Sequence, residues 1–184
     1  LAAALLVPHE AVAATDVLWG GIAGVSGGVG VAALYAGLAA GRMSVVAPLT
    51  AALSGSLPAL YDLATGGGIG WLSGVGLSLA LAAVVMVSVS SHPDDVDGVP
   101  PRAIAFAVLA GFGFAGSFVS FSFTAPESGM WPLVAARVVS ATMLGAFALV
   151  RVRRAFVSGD VLGMTLGASV LDSAANVTML SAIR

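Results

Sequence analysis

Two ionisable side chains of opposite charge stand deep inside apolar stretches of this sequence. Arg137 lies eight residues after Gly129, and Asp172 lies twelve residues after Asp160. At 1.5 Å per residue these are depths of about 12 Å and about 18 Å along a helix. Ionisable groups are costly at such depths in a membrane and by default mark a functional site or a structural pair. Contact with a substrate or coupling ion and a purely structural ion pair both stay open.

Other polar side chains share a helical face with Asp172. Asn176 follows it by four residues and Ser169 precedes it by three, so the three stand on one side of a helix. That face is suited to lining a polar cavity, and hydrogen bonding across helices is the alternative. Tyr35 is a further cavity candidate, with aromatic packing as its alternative.

The usual catalytic and metal-binding patterns do not occur in the sequence. His9 and His92 are far apart, and there is no cysteine, so no metal-ligand spacing is present. The HExxH, GxSxG and P-loop patterns do not occur either. The net charge of −2 and the lack of lysine disfavour nucleic-acid binding. We therefore expect no enzyme and no cofactor.

The composition is that of a protein embedded in a lipid bilayer. Of the 184 residues, 59% are hydrophobic and 9% are charged, whereas a soluble domain carries about 25% charged residues. The mean hydropathy is +1.05. A chain this short cannot bury so much apolar surface in one aqueous core. We predict an all-α, polytopic transmembrane helix bundle.

Six apolar segments follow one another, each near the ~20 residues that cross ~30 Å of hydrocarbon. They run over residues 15–41, 43–64, 69–91, 102–124, 130–150 and 159–183. The polar run 92–101 is the one clear linker, and it separates residues 1–91 from residues 102–184 within a single membrane domain. Because the chain opens on Leu1 within an apolar run and stops just after a helix, we expect a fragment that lacks about four helices.

The second segment carries two prolines, Pro48 and Pro58, ten residues apart. Each would cost ~3 kcal/mol inside a water-soluble helix. In a membrane, prolines are tolerated where neighbouring helices and hydroxyls satisfy the freed carbonyls. We predict a kinked transmembrane helix over 44–64. Its candidate hydroxyl donors are Ser44, Thr50, Ser54 and Ser56.

Small residues recur every four positions on two of the segments. The glycines of these ladders are Gly20, Gly24 and Gly28 on the first, and Gly70 and Gly74 on the third. Such spacing lets helix backbones approach closely in lipid. We assign these glycines to helix packing and give them no chemistry.

Basic residues occur in every second loop between the apolar segments. One set contains Arg42, Arg102, Arg151, Arg153, Arg154 and Arg184, and the other contains Glu10, Asp16 and Glu127 with no basic residue. The positive-inside rule makes the arginine side cytoplasmic. Residues 19–42 and 161–184 also form a weak repeat, since both are predicted helices that are rich in small residues and end at an arginine. A separation of five helices gives them opposite orientations, which is typical of inverted-repeat transporters.

Three stretches then carry a resemblance. They are residues 34–51, with the sequence Leu-Tyr-Ala-Gly-Leu-Ala-Ala-Gly-Arg-Met-Ser-Val-Val-Ala-Pro-Leu-Thr-Ala, followed by Pro58; residues 126–133, Pro-Glu-Ser-Gly-Met-Trp-Pro-Leu, with Arg137; and residues 172–176, Asp-Ser-Ala-Ala-Asn. In this order they look like helices three and four, helix seven and helix eight of the EamA-type transporters of the drug/metabolite transporter superfamily. The resemblance covers essentially the whole chain, and its Val-Ala-Pro element is the most specific part.

The resemblance implies ten helices in two inverted five-helix repeats. Residues 1–91 would end the first repeat and residues 102–184 would begin the second. It further implies that the protein moves small metabolites across the bacterial inner membrane by alternating access. The oligomeric state stays open. Together with the charges, the resemblance suggests these cavity residues: Tyr35, Pro48, Thr50, Arg137, Asp172 and Asn176.

The chain departs from the family pattern in two ways. The family's Gly-Glu-Arg after helix four is replaced by Gly66-Gly67-Gly68. Its members are also commonly drawn with cytoplasmic termini, which is the reverse of the orientation that the arginines indicate. The alternative from another class is a non-catalytic membrane assembly or scaffold subunit. Such a subunit would need no buried Arg137, Asp172 or Asn176.

Overall fold

The computed structural model describes residues 13–41, 43–67 and 99–151, together with isolated residues between 70 and 86. Four helices in these ranges are long and apolar enough to cross a membrane. They are α1 (Ala14–Ala40), α2 (Met43–Ala64), α3 (Pro101–Ser122) and α4 (Trp131–Arg151), with a short 3-10 turn at Pro126–Ser128 before α4. The described residues contain no strand. The predicted all-α fold is therefore confirmed for the described residues, and four of their helices suit a multi-pass membrane protein.

Two of the six predicted spans are not among these helices. Within 69–91, the described residues from Trp71 to Met86 are helical, but no helix bounds are defined there. The sixth predicted span, 159–183, lies outside the described residues, as do most of the linker 92–101 and the proposed repeat partner 161–184.

Helix α2 runs through both of its prolines, as the sequence predicts. Three of the four hydroxyls that were expected to satisfy the freed carbonyls bond elsewhere. Thr50 donates to the carbonyl of Ala107 on α3 at 3.1 Å. Ser54 and Ser56 donate within α2, to Ala51 at 3.1 Å and to Ala52 at 2.6 Å.

The four helices form a row in the order α2, α3, α1, α4, with α1 between α3 and α4. Helix α3 runs antiparallel to α1, because Gly37 packs near Ala103 while Gly30 packs near Phe114. Helix α4 runs parallel to α1, since Gly20 and Gly24 approach Pro132 and Ala136 in the same order. Chain order therefore does not set the neighbours, because α2 follows α1 but packs mainly on α3.

Helix α2 also runs parallel to its neighbour α3. Val46 packs with Ala103, Thr50 bonds to Ala107, and Leu53 touches Gly111. Because α2 and α3 are parallel, both helices begin at the same end of the bundle. The end of α2 and the start of α3 therefore lie at opposite ends of the bundle.

The two ends of the bundle, at which the helices begin and end, carry different charges. The start of α1, the end of α2 and the α3–α4 connection lie together, and this acidic end carries Asp16, Asp62 and Glu127. The opposite, arginine end carries Arg102 at the start of α3 and Arg151 at the end of α4.

Close backbone contacts hold α1 between its neighbours. A Cβ built on Gly24 would stand 2.8 Å from the Cα of Ala136 on α4. One built on Gly113 of α3 would stand 2.7 Å from the Cα of Gly30. Small residues thus let both neighbours reach the α1 backbone, which is the usual packing mode of membrane helices.

Candidate functional site

A cavity of about 380 Å³ lies between α1, α3 and α4. This volume falls within the ~300–1,000 Å³ range of small-molecule sites. Its lining residues are Ala23, Gly24, Gly27, Gly28 and Val31 from α1, Phe114, Ser117, Phe118 and Phe121 from α3, and Leu133, Ala136, Arg137, Ser140 and Leu144 from α4.

Glycines of α1 make one wall of the cavity. Gly27 is the middle residue of α1, which places this wall at mid-depth in the bundle. The space beside Gly27 is narrow, because a Cβ built there would stand 3.3 Å from the Ser117 hydroxyl oxygen on α3. The absence of a side chain at Gly27 therefore keeps this narrow space open, whereas Gly24 and Gly28 allow α4 to approach α1 closely.

Arg137 is the charged residue among the described residues that line the cavity. It is the seventh residue of α4, which places it about 9 Å along the helix from Trp131. Within the four described helices, it is the only charged residue more than three positions from a helix end. The inner part of the described bundle therefore carries one charged side chain, and that side chain lines the cavity.

Two hydroxyls and a set of phenylalanines complete the lining. Ser117 stands on α3 and Ser140 on α4, and the Ser140 hydroxyl donates to the carbonyl of Arg137 at 3.2 Å. Phe114, Phe118 and Phe121 provide an apolar wall on α3. A few polar groups set in a mainly apolar lining are typical of ligand pockets.

A small apolar cluster forms the part of the cavity lining nearest the acidic end. Ala23, Phe121 and Ala136 are buried together, and Leu133 packs against them. These four residues bring α1, α3 and α4 into contact at one place. All four also line the cavity, so the cluster marks its end toward the acidic side.

Beyond that cluster, Asp16 ties the α3–α4 connection to α1. Its side chain is 4% exposed. The carboxylate oxygen Oδ2 accepts hydrogen bonds from the Ser128 hydroxyl and from the backbone N–H of Ala125, the latter at 3.2 Å. Because buried carboxylates need such partners, these bonds hold the connection in place.

An aromatic group lies at the same acidic end. Trp19 of α1 stacks on Phe123 with ring centroids 4.5 Å apart, and Tyr61 of α2 meets the same ring edge-on at 6.2 Å. Trp and Tyr favour the membrane–water interface. The group joins α1, α2 and the end of α3 at that level.

The predicted site residues do not lie together in the structure. Arg137 lines the cavity. Pro48 and Thr50 lie on α2, outside the cavity lining, where the buried Thr50 links α2 to α3. Tyr35 is 67% exposed and does not line the cavity. The remaining two predicted residues, Asp172 and Asn176, lie outside the described residues.

The predicted packing glycines also divide into two groups. Gly20, Gly24 and Gly28 lie along the α1 face that meets α4. A Cβ built on Gly70 would meet no atom of the described residues within 4 Å. For Gly74, the structure shows the carbonyl accepting a hydrogen bond from Ser78 at 2.8 Å.

Sequence reasoning missed several residues that the structure brings together. It counted Asp16 among loop acids, but this residue lies in the first turn of α1 and is buried. An acidic residue in the first helical turn is a recognisable start signal. Ser128, which bonds to Asp16, carried no comparable signal. Neither did the cavity serines, Ser117 and Ser140.

No family model, curated protein or solved structure matches this chain. Among the described residues, no group of three or more His, Cys, Asp or Glu side chains could hold a metal ion. The function must therefore be argued from the cavity, its depth and its lining.

Proposed function

We propose that this chain belongs to a small-metabolite transporter that works by alternating access, of the EamA type within the drug/metabolite transporter superfamily. The observation that carries the proposal is the cavity between α1, α3 and α4, with Arg137 in its lining at a depth where ionisable groups are costly. Transporter sites lie near the bilayer midplane between helices that move against each other.

A scaffold subunit is the competing function. Such a protein gains nothing from a mid-depth cavity that holds an arginine and two serines. Close packing by the α1 glycines would serve a scaffold as well as a transporter, so those contacts do not decide between the two. The cavity lining is what favours transport.

The finer architecture is part of the same proposal. Because the end of α2 and the start of α3 lie at opposite ends of the bundle, the chain between them must return across its thickness. This requirement supports the predicted span at 69–91. We propose in addition the sixth span at 159–183, an inverted five-plus-five repeat and a bacterial inner-membrane location.

The orientation follows from the two charged ends. The arginine end would face the cytoplasm by the positive-inside rule, and the acidic end with Asp16 and the aromatic group would face outward. In this proposal Asp172 and Asn176 share the cavity with Arg137, and Arg137 and Asp172 form either a direct or a water-bridged pair.

A labelling experiment tests the proposal without knowledge of the substrate. The chain has no cysteine, so a Ser140→Cys variant carries a single thiol in the cavity. Alternating access predicts that impermeant thiol reagents label this cysteine from either side of the membrane, in intact cells and in inside-out vesicles. A Thr50→Cys variant, at a site 4% exposed between α2 and α3, is the matched control and should resist labelling from both sides.

The scaffold hypothesis predicts a different labelling pattern for the Ser140→Cys variant. A static cavity would be reached from one side only or from neither. Substrate flux in proteoliposomes would then be absent as well. Labelling of the Ser140→Cys variant from one side alone would therefore contradict transport by alternating access.

A further inference from the structure

One face of α1 leads from the acidic end of the bundle into the cavity. Four residues spaced three or four positions apart stand one above another on this face: Asp16, Trp19, Gly20 and Ala23. Ala23 already belongs to the cavity lining. The three residues before it therefore lie between the cavity and the acidic end.

The contact farthest from the cavity is polar. Asp16 and Ser128 are 4% and 3% exposed. The carboxylate oxygen Oδ2 of Asp16 accepts hydrogen bonds from the Ser128 hydroxyl and from the backbone N–H of Ala125. Because both donors belong to the α3–α4 connection, α1 cannot move away from this connection without breaking both bonds. Water would then have to replace the carboxylate as acceptor.

The contacts between Asp16 and the cavity are apolar. Trp19 stacks on Phe123 with ring centroids 4.5 Å apart. A Cβ built on Gly20 would stand 2.7 Å from the Cα of Pro132, so α1 and the start of α4 meet backbone to backbone. Lipid can replace apolar contacts of this kind at small cost, whereas a buried carboxylate that loses its donors is costly. The polar contact is therefore the one that holds these elements together.

We propose that the hydrogen-bonded pair Asp16–Ser128 is a latch that keeps the cavity closed toward the acidic end, and that it opens when the cavity becomes accessible from that end. Ala125 is the second donor of this latch. The inference rests on the proposed transport function and names the contact that must break in one of its two states. Neither Asp16 nor Ser128 lines the cavity, so the latch acts on access to the cavity and does not touch the ligand.

The rate of thiol labelling at Ser140→Cys measures the latch. An impermeant reagent is applied from each side of the membrane, in right-side-out and inside-out vesicles. A separate Glu127→Cys chain shows which side the acidic end faces, because Glu127 is exposed on the α3–α4 connection. Adding Ser128→Ala or Asp16→Ala to the Ser140→Cys chain should raise the labelling rate from the acidic side by about tenfold, as expected for losing a hydrogen bond to a charged group. The rate from the other side should not rise.

Three control chains separate a latch from a general loss of stability. Asp16→Ala and Ser128→Ala together should give no faster labelling than Asp16→Ala alone, because the serine hydroxyl has then already lost its acceptor. Glu127→Gln removes a charge from the same connection outside the latch and should leave the rate unchanged. A Thr50→Cys chain that carries Ser128→Ala should still resist labelling, since Thr50 is buried against α3 and is reached only if the bundle loosens.

The outcomes keep the latch and the transport function apart. If Ser140→Cys is labelled from both sides and neither Ser128→Ala nor Asp16→Ala changes the rates, the latch is refuted and alternating access stands. Faster labelling from both sides, or labelling of Thr50→Cys, would refute the latch as well, because Asp16 would then only stabilise the bundle. If Ser140→Cys is labelled from one side only and the latch variants leave it so, the transport function fails together with the inference.

Discussion

Gly24 gives the sharpest test of how these helices pack. A Cβ built there stands 2.8 Å from the Cα of Ala136 and also meets the Ala136 carbonyl oxygen. Carbon atoms settle about 3.5–4.0 Å apart, so Gly24→Ala requires α1 and α4 to separate locally by about 0.7–1.2 Å. Backbone atoms cannot swing aside as a flexible side chain can.

The same helix supplies a matched control. A Cβ on Gly21 stands 3.9 Å from a methyl group of Val139, which is ordinary contact. Alanine favours a helix over glycine by roughly 0.5–1 kcal/mol, and this gain is common to Gly21→Ala and Gly24→Ala. The difference between the two variants therefore isolates the clash, which we expect to cost about 1–3 kcal/mol as for other overpacked sites.

The variants can be compared by reversible unfolding in mixed detergent micelles, followed by tryptophan fluorescence. We expect Gly21→Ala to match or exceed the parent chain in stability and Gly24→Ala to fall below it. Gly28→Ala should lie between them, because its Cβ meets the end of the flexible Met143 side chain. A Gly24→Ala chain as stable as Gly21→Ala would refute the close contact of α1 with α4.

Three further predictions concern the acidic end, the orientation, and Arg137 with Asp172. Asp16→Ala should lower the free energy of unfolding in the same assay by about 1–3 kcal/mol, because it leaves buried donors without an acceptor. Glu127 is an exposed acid on the α3–α4 connection, and Glu127→Ala should change that free energy by no more than about 0.5 kcal/mol. Equal losses in the two variants would contradict this role of Asp16. A cysteine at Ser158 should resist impermeant thiol reagents in intact cells if the arginine end is cytoplasmic, and ready labelling would reverse the orientation. Asp172→Asn should impair proteoliposome flux with membrane insertion retained, whereas a structural pair predicts a lower folded yield that Arg137→Gln restores.

The sequence predicted the described helices well and their neighbours poorly. Predicted spans such as 43–64 and 102–124 fall within two residues of α2 and α3, because apolar run length and turn residues mark the ends of membrane helices. The faces of those helices were harder to assign. Lipid is as apolar as a protein core, so a membrane helix shows little difference between its buried and exposed sides.

Tyr35 and Asp16 illustrate that limit. Tyr35 was a cavity candidate with aromatic packing as its alternative, and the structure leaves 67% of it exposed. Asp16 was counted among the loop acids, and it is buried, with hydrogen-bond partners 109 and 112 residues away in sequence. Contacts at such separations depend on the order of the helices in the row, which no local pattern in the sequence encodes.

The position of the cavity follows from the two faces of α1. Helix α4 approaches the backbone of α1 along Gly20 and Gly24, while α3 approaches it farther along, at Gly30. The two neighbours therefore come closest to α1 at different heights, and Gly27, which faces the cavity, lies between those heights. A side chain at Gly24 would push α4 away, whereas one at Gly27 would enter the space beside the Ser117 hydroxyl. Packing and cavity volume thus depend on neighbouring glycines of one helix, and a substitution at each can separate the stability of the bundle from the binding of a ligand.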